Sequence, residues 1–250
     1  MPDPVPEKKS AARLIDWCIF CLQCLWYSGP DPRKLFLFFS VKPYTQLGYR
    51  RLANIYELAA RLEKEGLKGD FVECGVWKGG AAAVLAYQAS RAKPPRKVWL
   101  IDSFAGMPEP TGQDGPMIGK MVNGRTEGRL HPVGINVASL EQVEKLLFGR
   151  FGFARDKVVL VKGWFQEVLP GLSRRIGDIA LLRIDADWYE STKVCLSCLY
   201  DSVVSGGYVI IDDYNLLPGC KNAVDEFMRE RGLRVDLAAI DREGVYFRKK

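Results

Sequence analysis

The amino-acid sequence predicts an α/β fold in which a mainly parallel sheet is covered by helices on both faces. Two observations carry that expectation. Five short runs are apolar throughout rather than alternating, and helical periodicities separate most of them. Acidic residues then stand at the carboxyl ends of four of those runs, at Glu73, Asp102, Asp185 and the pair Asp212–Asp213. A single acid there is an ordinary cap for the next helix. Four strands agreeing points to a ligand crevice, because open parallel sheets bind their ligands outside the carboxyl ends.

Each element follows from its pattern. Residues 44–65 place Leu52, Ile55, Ala59 and Leu62 on one helical side and stop at Gly66. Residues 70–75 read as a buried strand entering a glycine turn, with a helix over 79–87. Strands follow at 97–102, 157–163, 179–185 and 207–213. The helices between and after them are expected over 140–148, 165–174, 190–203 and 221–231. Two late runs, 234–240 and 245–248, read as a closing antiparallel pair. The glycine- and proline-rich stretch 103–137 is too long for an idle connection and is expected to be a functional cover or partly disordered.

Composition narrows the chemistry. The chain has 250 residues, a net charge of +6, seven cysteines and one histidine. A lone His131 excludes a multi-histidine metal site and leaves carboxylates to do the chemical work. Basic residues are scattered among acids, with no nucleic-acid motif, so no nucleic-acid partner is expected. An odd cysteine count without a cleavable leader predicts a reducing, cytoplasmic location. Cys18, Cys21 and Cys24 lie in an apolar stretch too short to span a membrane. They are expected to share one side of a helix packed on the body or on a partner, with interfacial membrane attachment the weaker alternative.

Two clusters carry chemistry. The segment Glu73-Cys74-Gly75 to Gly79 lets backbone approach a ligand at a helix N-terminus. It is neither the dinucleotide fingerprint nor a phosphate loop, and an acid before the turn suits a ligand with an ammonium or sulfonium charge. Asp102 can accept hydrogen bonds from a ribose. Together Glu73, Gly75, Gly79 and Asp102 fit S-adenosylmethionine better than NAD. The second cluster, Asp185-Ala-Asp187 with Asp212-Asp213, offers oxygen ligands to a hard cation such as Mg²⁺; with no histidine or paired cysteines at these ends, zinc is not expected. Alternation puts Asp185 and Asp187 on the same side, so one can ligate while the other accepts a proton. A dehalogenase-type phosphohydrolase also uses Asp-x-Asp, but Trp188-Tyr189-Glu190 does not continue that motif.

The segments 42–52, 69–80, 101–108, 162–170, 185–192 and 206–214 together resemble the macrocin O-methyltransferase family, in order, from about Lys42 to Lys250. The resemblance implies a Rossmann-like class I methyltransferase with a seven-stranded, mostly parallel sheet and an antiparallel C-terminal strand. Residues 42–250 would form the catalytic domain, 42–66 its helical cover, and 1–41 an N-terminal apolar extension. By position, Asp185, Asp212 and Asp213 would hold the metal and Asp187 would be the general base. Glu73, Cys74, Gly75 and Gly79 would line the methionine end, Asp102 and Ser103 the ribose, and Ser139, Gly163, Trp164 and Phe165 the adenine side, under a cover carrying Thr45 and Tyr49. The implied reaction is Mg²⁺-dependent O-methylation of a glycosylated or polyhydroxylated small molecule by a homo-oligomer. A catechol-like acceptor is the alternative within the class, and an idle cofactor-binding scaffold the alternative outside it. Trp188 and Gln46-Leu47-Gly48 depart from the family pattern, and 112–131 matches least, so the acceptor is the open question.

Overall fold

The structure, a computed structural model, describes residues 7–27 and 31–250, with side chains from residue 14 onward. The N-terminal part contains helices α1 (Glu7–Tyr27), α2 (Pro32–Val41) and α3 (Tyr49–Lys64). Strand β1 (Asp70–Cys74) leads into α4 (Gly80–Arg91), and β2 (Val98–Asp102) into a long loop carrying α5 (Pro116–Met121) and α6 (Leu140–Glu144). Then come β3 (Val158–Lys162), α7 (Phe165–Ile176), β4 (Ile179–Ile184), α8 (Tyr189–Leu199), β5 (Val203–Ile211), α9 (Pro218–Glu230), β6 (Ala238–Ala239) and β7 (Val245–Arg248).

The sheet has seven strands in the order β3-β2-β1-β4-β5-β7-β6, parallel except where β7 runs against β5 and β6. Strand order reverses direction between β1 and β4, which is where such sheets open a crevice. Successive residues of β1 face opposite sides. Phe71 packs under α3 and α4, whereas Val72 and Cys74 pack under α7, α8 and α9. The central strands are buried on both faces, which is why they read as continuous apolar runs.

Several boundaries move from their sequence expectation. Residues 42–44 form a 3-10 turn, and α3 starts only at Tyr49 after Gly48. The predicted helix over 140–148 is α-helical only to Glu144 and continues to Arg150 as a π-helix. Strand β5 begins at Val203, and a register shift against β4 absorbs the extra residues before Tyr208. Of 234–240, only Ala238 and Ala239 pair as strand. The 103–137 stretch is an ordered cover. Met107 exchanges backbone hydrogen bonds with Ile135 and Val133, and its side chain shares a small core with Ile118 and Trp188.

In the extension, Phe20 and Cys24 are buried, and Trp17 and Phe20 pack against Phe39 with ring centres 6.4 and 6.2 Å apart. Lys42 anchors α1 by reaching Asp16 at 3.1 Å beneath the Phe20 ring. The three cysteines do not share one environment: Cys18 is exposed, Cys21 half-buried and Cys24 buried. Three-residue steps fall about 60° short of a full turn, so the thiols wind around the helix. Among the described residues no helix is long and apolar enough to cross a membrane.

Candidate active site

The turn after β1 is dictated by close backbone approach. Gly75 has φ of +90°, and a Cβ there would lie 1.8 Å from the carbonyl oxygen of Asp185, so only glycine fits. Asp102 at the end of β2 holds this turn from the side. One carboxylate oxygen accepts from the backbone N–H groups of Val76 at 2.7 Å and Trp77 at 3.0 Å. The other accepts from the N–H of Phe104 at 2.7 Å. Trp77 and Phe104 both have positive φ, so the carboxylate compensates two strained backbone positions.

At the neighbouring strand ends the acids have no such donors. Asp187 also has positive φ, +57°, in a tight turn where Trp188 N–H donates to the Ala186 carbonyl at 2.6 Å. The residues beyond it are latched to the long loop. The Trp188 indole N–H donates to the Pro108 carbonyl at 3.0 Å, and Tyr189 N–H donates to Asp114 at 2.7 Å. This turn brings Asp187 to Asp185 and Asp213, with one oxygen of each within 4.8 Å of the others.

Two buried arginines partly neutralise the cluster. Arg183, in β4 and 1% exposed, donates to Glu73 at 2.7 Å and Asp185 at 2.9 Å, and lies 2.8 Å from Asp212. Arg51, from α3, reaches Asp212 at 2.7 Å, Asp241 at 2.9 Å and Glu243. Asp212 therefore has a guanidinium on each oxygen. Of the expected ligands, Asp185 and Asp213 stand beside Asp187, and Asp212 lies on the same cavity wall with both its oxygens engaged by the arginines.

The remaining charge is too dense for every carboxyl to ionise. Burial, only partly opposed by Arg183, pushes Glu73 up to about 8. Burial and the charge of Asp185 push Asp187 up to about 7. Burial raises Asp185 as well, and burial with the Asp187 charge raises Asp213 strongly. Asp213 Oδ2 is buried with no hydrogen-bond donor on it. A close trio of hard oxygens, one of them orphaned, suits a divalent cation of the Mg²⁺ type, which would replace the missing positive charge.

Two hollows meet at this point. A cleft runs along Gly75, Asp102, Ser103, Trp164 and Phe165, and its inner wall is Asp185 and Asp187. A larger cavity of about 850 Å³ has the same two aspartates on its wall and reaches Asp212, Asp213, Thr45 and, in α1, Ile19. The other expected residues lie elsewhere. Glu73 is fully buried against Arg183 beneath the turn. Cys74 points into the opposite core, and its carbonyl accepts from Asp185 N–H. Gly79 caps α4 with φ of +87°. Ser139 makes a capping box for α6. Gly163, with φ of +154°, leaves room for Val168. Tyr49 meets Phe38 edge to face and lines a third hollow beside Tyr246. His131 is exposed, with its N–H on the Arg129 carbonyl. No motif in the amino-acid sequence marks Arg51, Arg183 or Asp114 for these contacts. Arg183 had a signal, since a lone charge inside an apolar buried strand requires carboxylate partners.

Residues 38–249 match the family model described as macrocin-O-methyltransferase (TylF). The chain is 36% identical over 232 residues, 91% of its length and 85% of the other's, to the 8-demethyl-8-(2,3-dimethoxy-alpha-L-rhamnosyl)-tetracenomycin-C 4'-O-methyltransferase of Streptomyces olivaceus. It is 38% identical over 208 residues, 82% of its length and 76% of the other's, to the demethyldecarbamoylnovobiocin O-methyltransferase of Streptomyces niveus. Among solved structures, that of the O-methyltransferase NovP superposes with a TM-score of 0.71 at 38% identity, covering 82% of each chain.

Proposed function

Because the chain belongs to the macrocin O-methyltransferase family and is an S-adenosylmethionine-dependent O-methyltransferase, we propose that it methylates a hydroxyl of a glycosylated small molecule with Mg²⁺ at the acidic strand ends. The observation that carries this reading is the junction of the cleft and the 850 Å³ cavity at Asp185 and Asp187. A donor in the first and an acceptor in the second would meet at the one place where carboxylates are crowded.

Each residue then has a chemical task. Gly75, Asp102, Ser103, Trp164 and Phe165 hold the cofactor, the glycine by letting backbone approach and the aromatic pair by apolar contact. Asp185 and Asp213 would hold the cation, which when bound supplies positive charge that acidifies a nearby sugar hydroxyl. Asp187 would accept the hydroxyl proton as the oxygen attacks the methyl carbon in line with the breaking C–S bond, whose electron pair returns to sulfur to give S-adenosylhomocysteine. The latches at Trp188 and Asp114 keep Asp187 from swinging away, and such alignment supplies much of the acceleration.

The test is a screen of glycosides, free polyols and catechols with methyl-labelled cofactor, run with EDTA and after Mg²⁺ is restored. Label should enter glycosides, stop with EDTA and return with Mg²⁺. Label in catechols alone would overturn the acceptor class, and transfer indifferent to EDTA would remove the metal.

A further inference from the structure

From the clasp around Asp212 we infer that Arg51 competes with the divalent cation for that carboxylate, and so sets the cation affinity of the site from the cover helix. The inference rests on the reading above that a cation is held at the neighbouring acids. Asp212 is 3% exposed, lies on the wall of the same cavity as Asp185, Asp187 and Asp213, and follows β5 immediately before Asp213. Its Oδ1 is engaged by Arg183 and its Oδ2 by Arg51. The two arginines are not equivalent. Arg183 is rooted in the central strand β4 and serves Glu73 and Asp185 as well. Arg51 comes from α3, outside the sheet, and its other partners are Asp241 and Glu243 in the β6–β7 turn.

Asp241 is itself the organiser of that turn, accepting from Glu243 N–H and Gly244 N–H at 2.9 Å each. One guanidinium thus ties three separate parts of the chain to one acid: the cover helix, the closing hairpin and the strand end. A cation that recruits Asp212 must take Oδ2 from Arg51 and must also sit near a fixed positive charge. Both effects weaken binding. Loading the site then loosens one of the three ties on α3, so occupancy is felt at the β6–β7 turn.

The probe is Mn²⁺ alone, titrated by loss of its free-ion EPR signal, with no acceptor present. Arg51→Met should bind Mn²⁺ about tenfold tighter than the wild type, since one nearby charge and one competitor are removed. Arg51→Lys keeps a charge but not the fork, and should fall between the two. Arg51→Met leaves Asp212 with Arg183 alone and removes the guanidinium from Asp241 and Glu243, so its melting temperature without metal should drop, and Mn²⁺ should raise it by more than it raises the wild type. If Arg51→Met proves too unstable to titrate, Arg51→Lys decides: affinity equal to or weaker than wild type overturns the inference. Equal affinity in wild type and Arg51→Met overturns the inference but leaves the metal site standing. No Mn²⁺ binding by any of the three removes both.

Discussion

Asp102 and Asp213 end or follow strands on opposite sides of β1 and β4, yet their surroundings could hardly differ more. Asp102 faces three backbone N–H groups, two from the turn after β1 and one from the loop that follows β2. Asp213 faces other carboxylates and has one buried oxygen with no donor. The first carboxylate is complete as the chain folds. The second is complete only when something positive arrives. On the proposed reading, the cofactor side of the crevice is built in advance, whereas the acceptor side is left in electrostatic deficit, the state expected of a cation site before it is loaded.

The largest test of this contrast is on the deficit side. Asp187→Asn removes the proton acceptor without adding bulk, and turnover should fall about 10²–10⁴-fold. Binding of S-adenosylhomocysteine, followed by calorimetry, should stay within about twofold, because the cleft is ordered by Asp102 and not by Asp187. Unchanged turnover would erase the distinction between the two carboxylates.

On the completed side, Asp102→Asn turns an NH₂ group toward backbone donors that need an acceptor. Leaving such donors unmatched costs about 1–3 kcal/mol of stability, seen in urea unfolding. Cofactor affinity should fall about tenfold as the Gly75 turn loosens, while Mn²⁺ affinity should not move. A loss of metal binding in this variant would show that the two halves are not separable.

The last test is a pH slope. Glu73 is held at about 8 by burial, against an ordinary value near 4.5. The folded chain therefore keeps a proton that the unfolded chain releases, and its stability declines as pH rises from about 4.5 to about 8. Glu73→Gln should flatten that part of the urea-midpoint curve between pH 5 and pH 8. A slope identical to the wild type's would mean that Arg183 holds Glu73 ionised throughout.

The deficit was legible in the amino-acid sequence, and its partial compensation was not. Acids at strand ends follow from local patterns, because the strands are apolar and their ends are abrupt. Arg51 could not be paired with Asp212 that way, since 161 residues separate them and nothing in α3 marks one arginine among several. The role of Asp102 was hidden for another reason. Its partners are main-chain groups aimed by the positive φ of Trp77 and Phe104, which are residue types that rarely adopt it. Family resemblance is what points to Cys74, Ser139 and Gly163 at the cofactor, and the local contacts of these residues are packing and capping ones: Cys74 in the core under α7–α9, Ser139 capping α6 and Gly163 leaving room for Val168.

The contact between Gly75 and Asp185 has a consequence for how such an enzyme can diversify. With a would-be side chain only 1.8 Å from the opposite carbonyl, the ends of β1 and β4 meet main chain to main chain. Anything larger than glycine at position 75 would push the Asp185 backbone aside and carry its carboxylate away from Asp187 and Asp213. On the proposed reading, a change of acceptor then has to come from the 103–137 loop or the α1 wall, because this contact leaves no room for one.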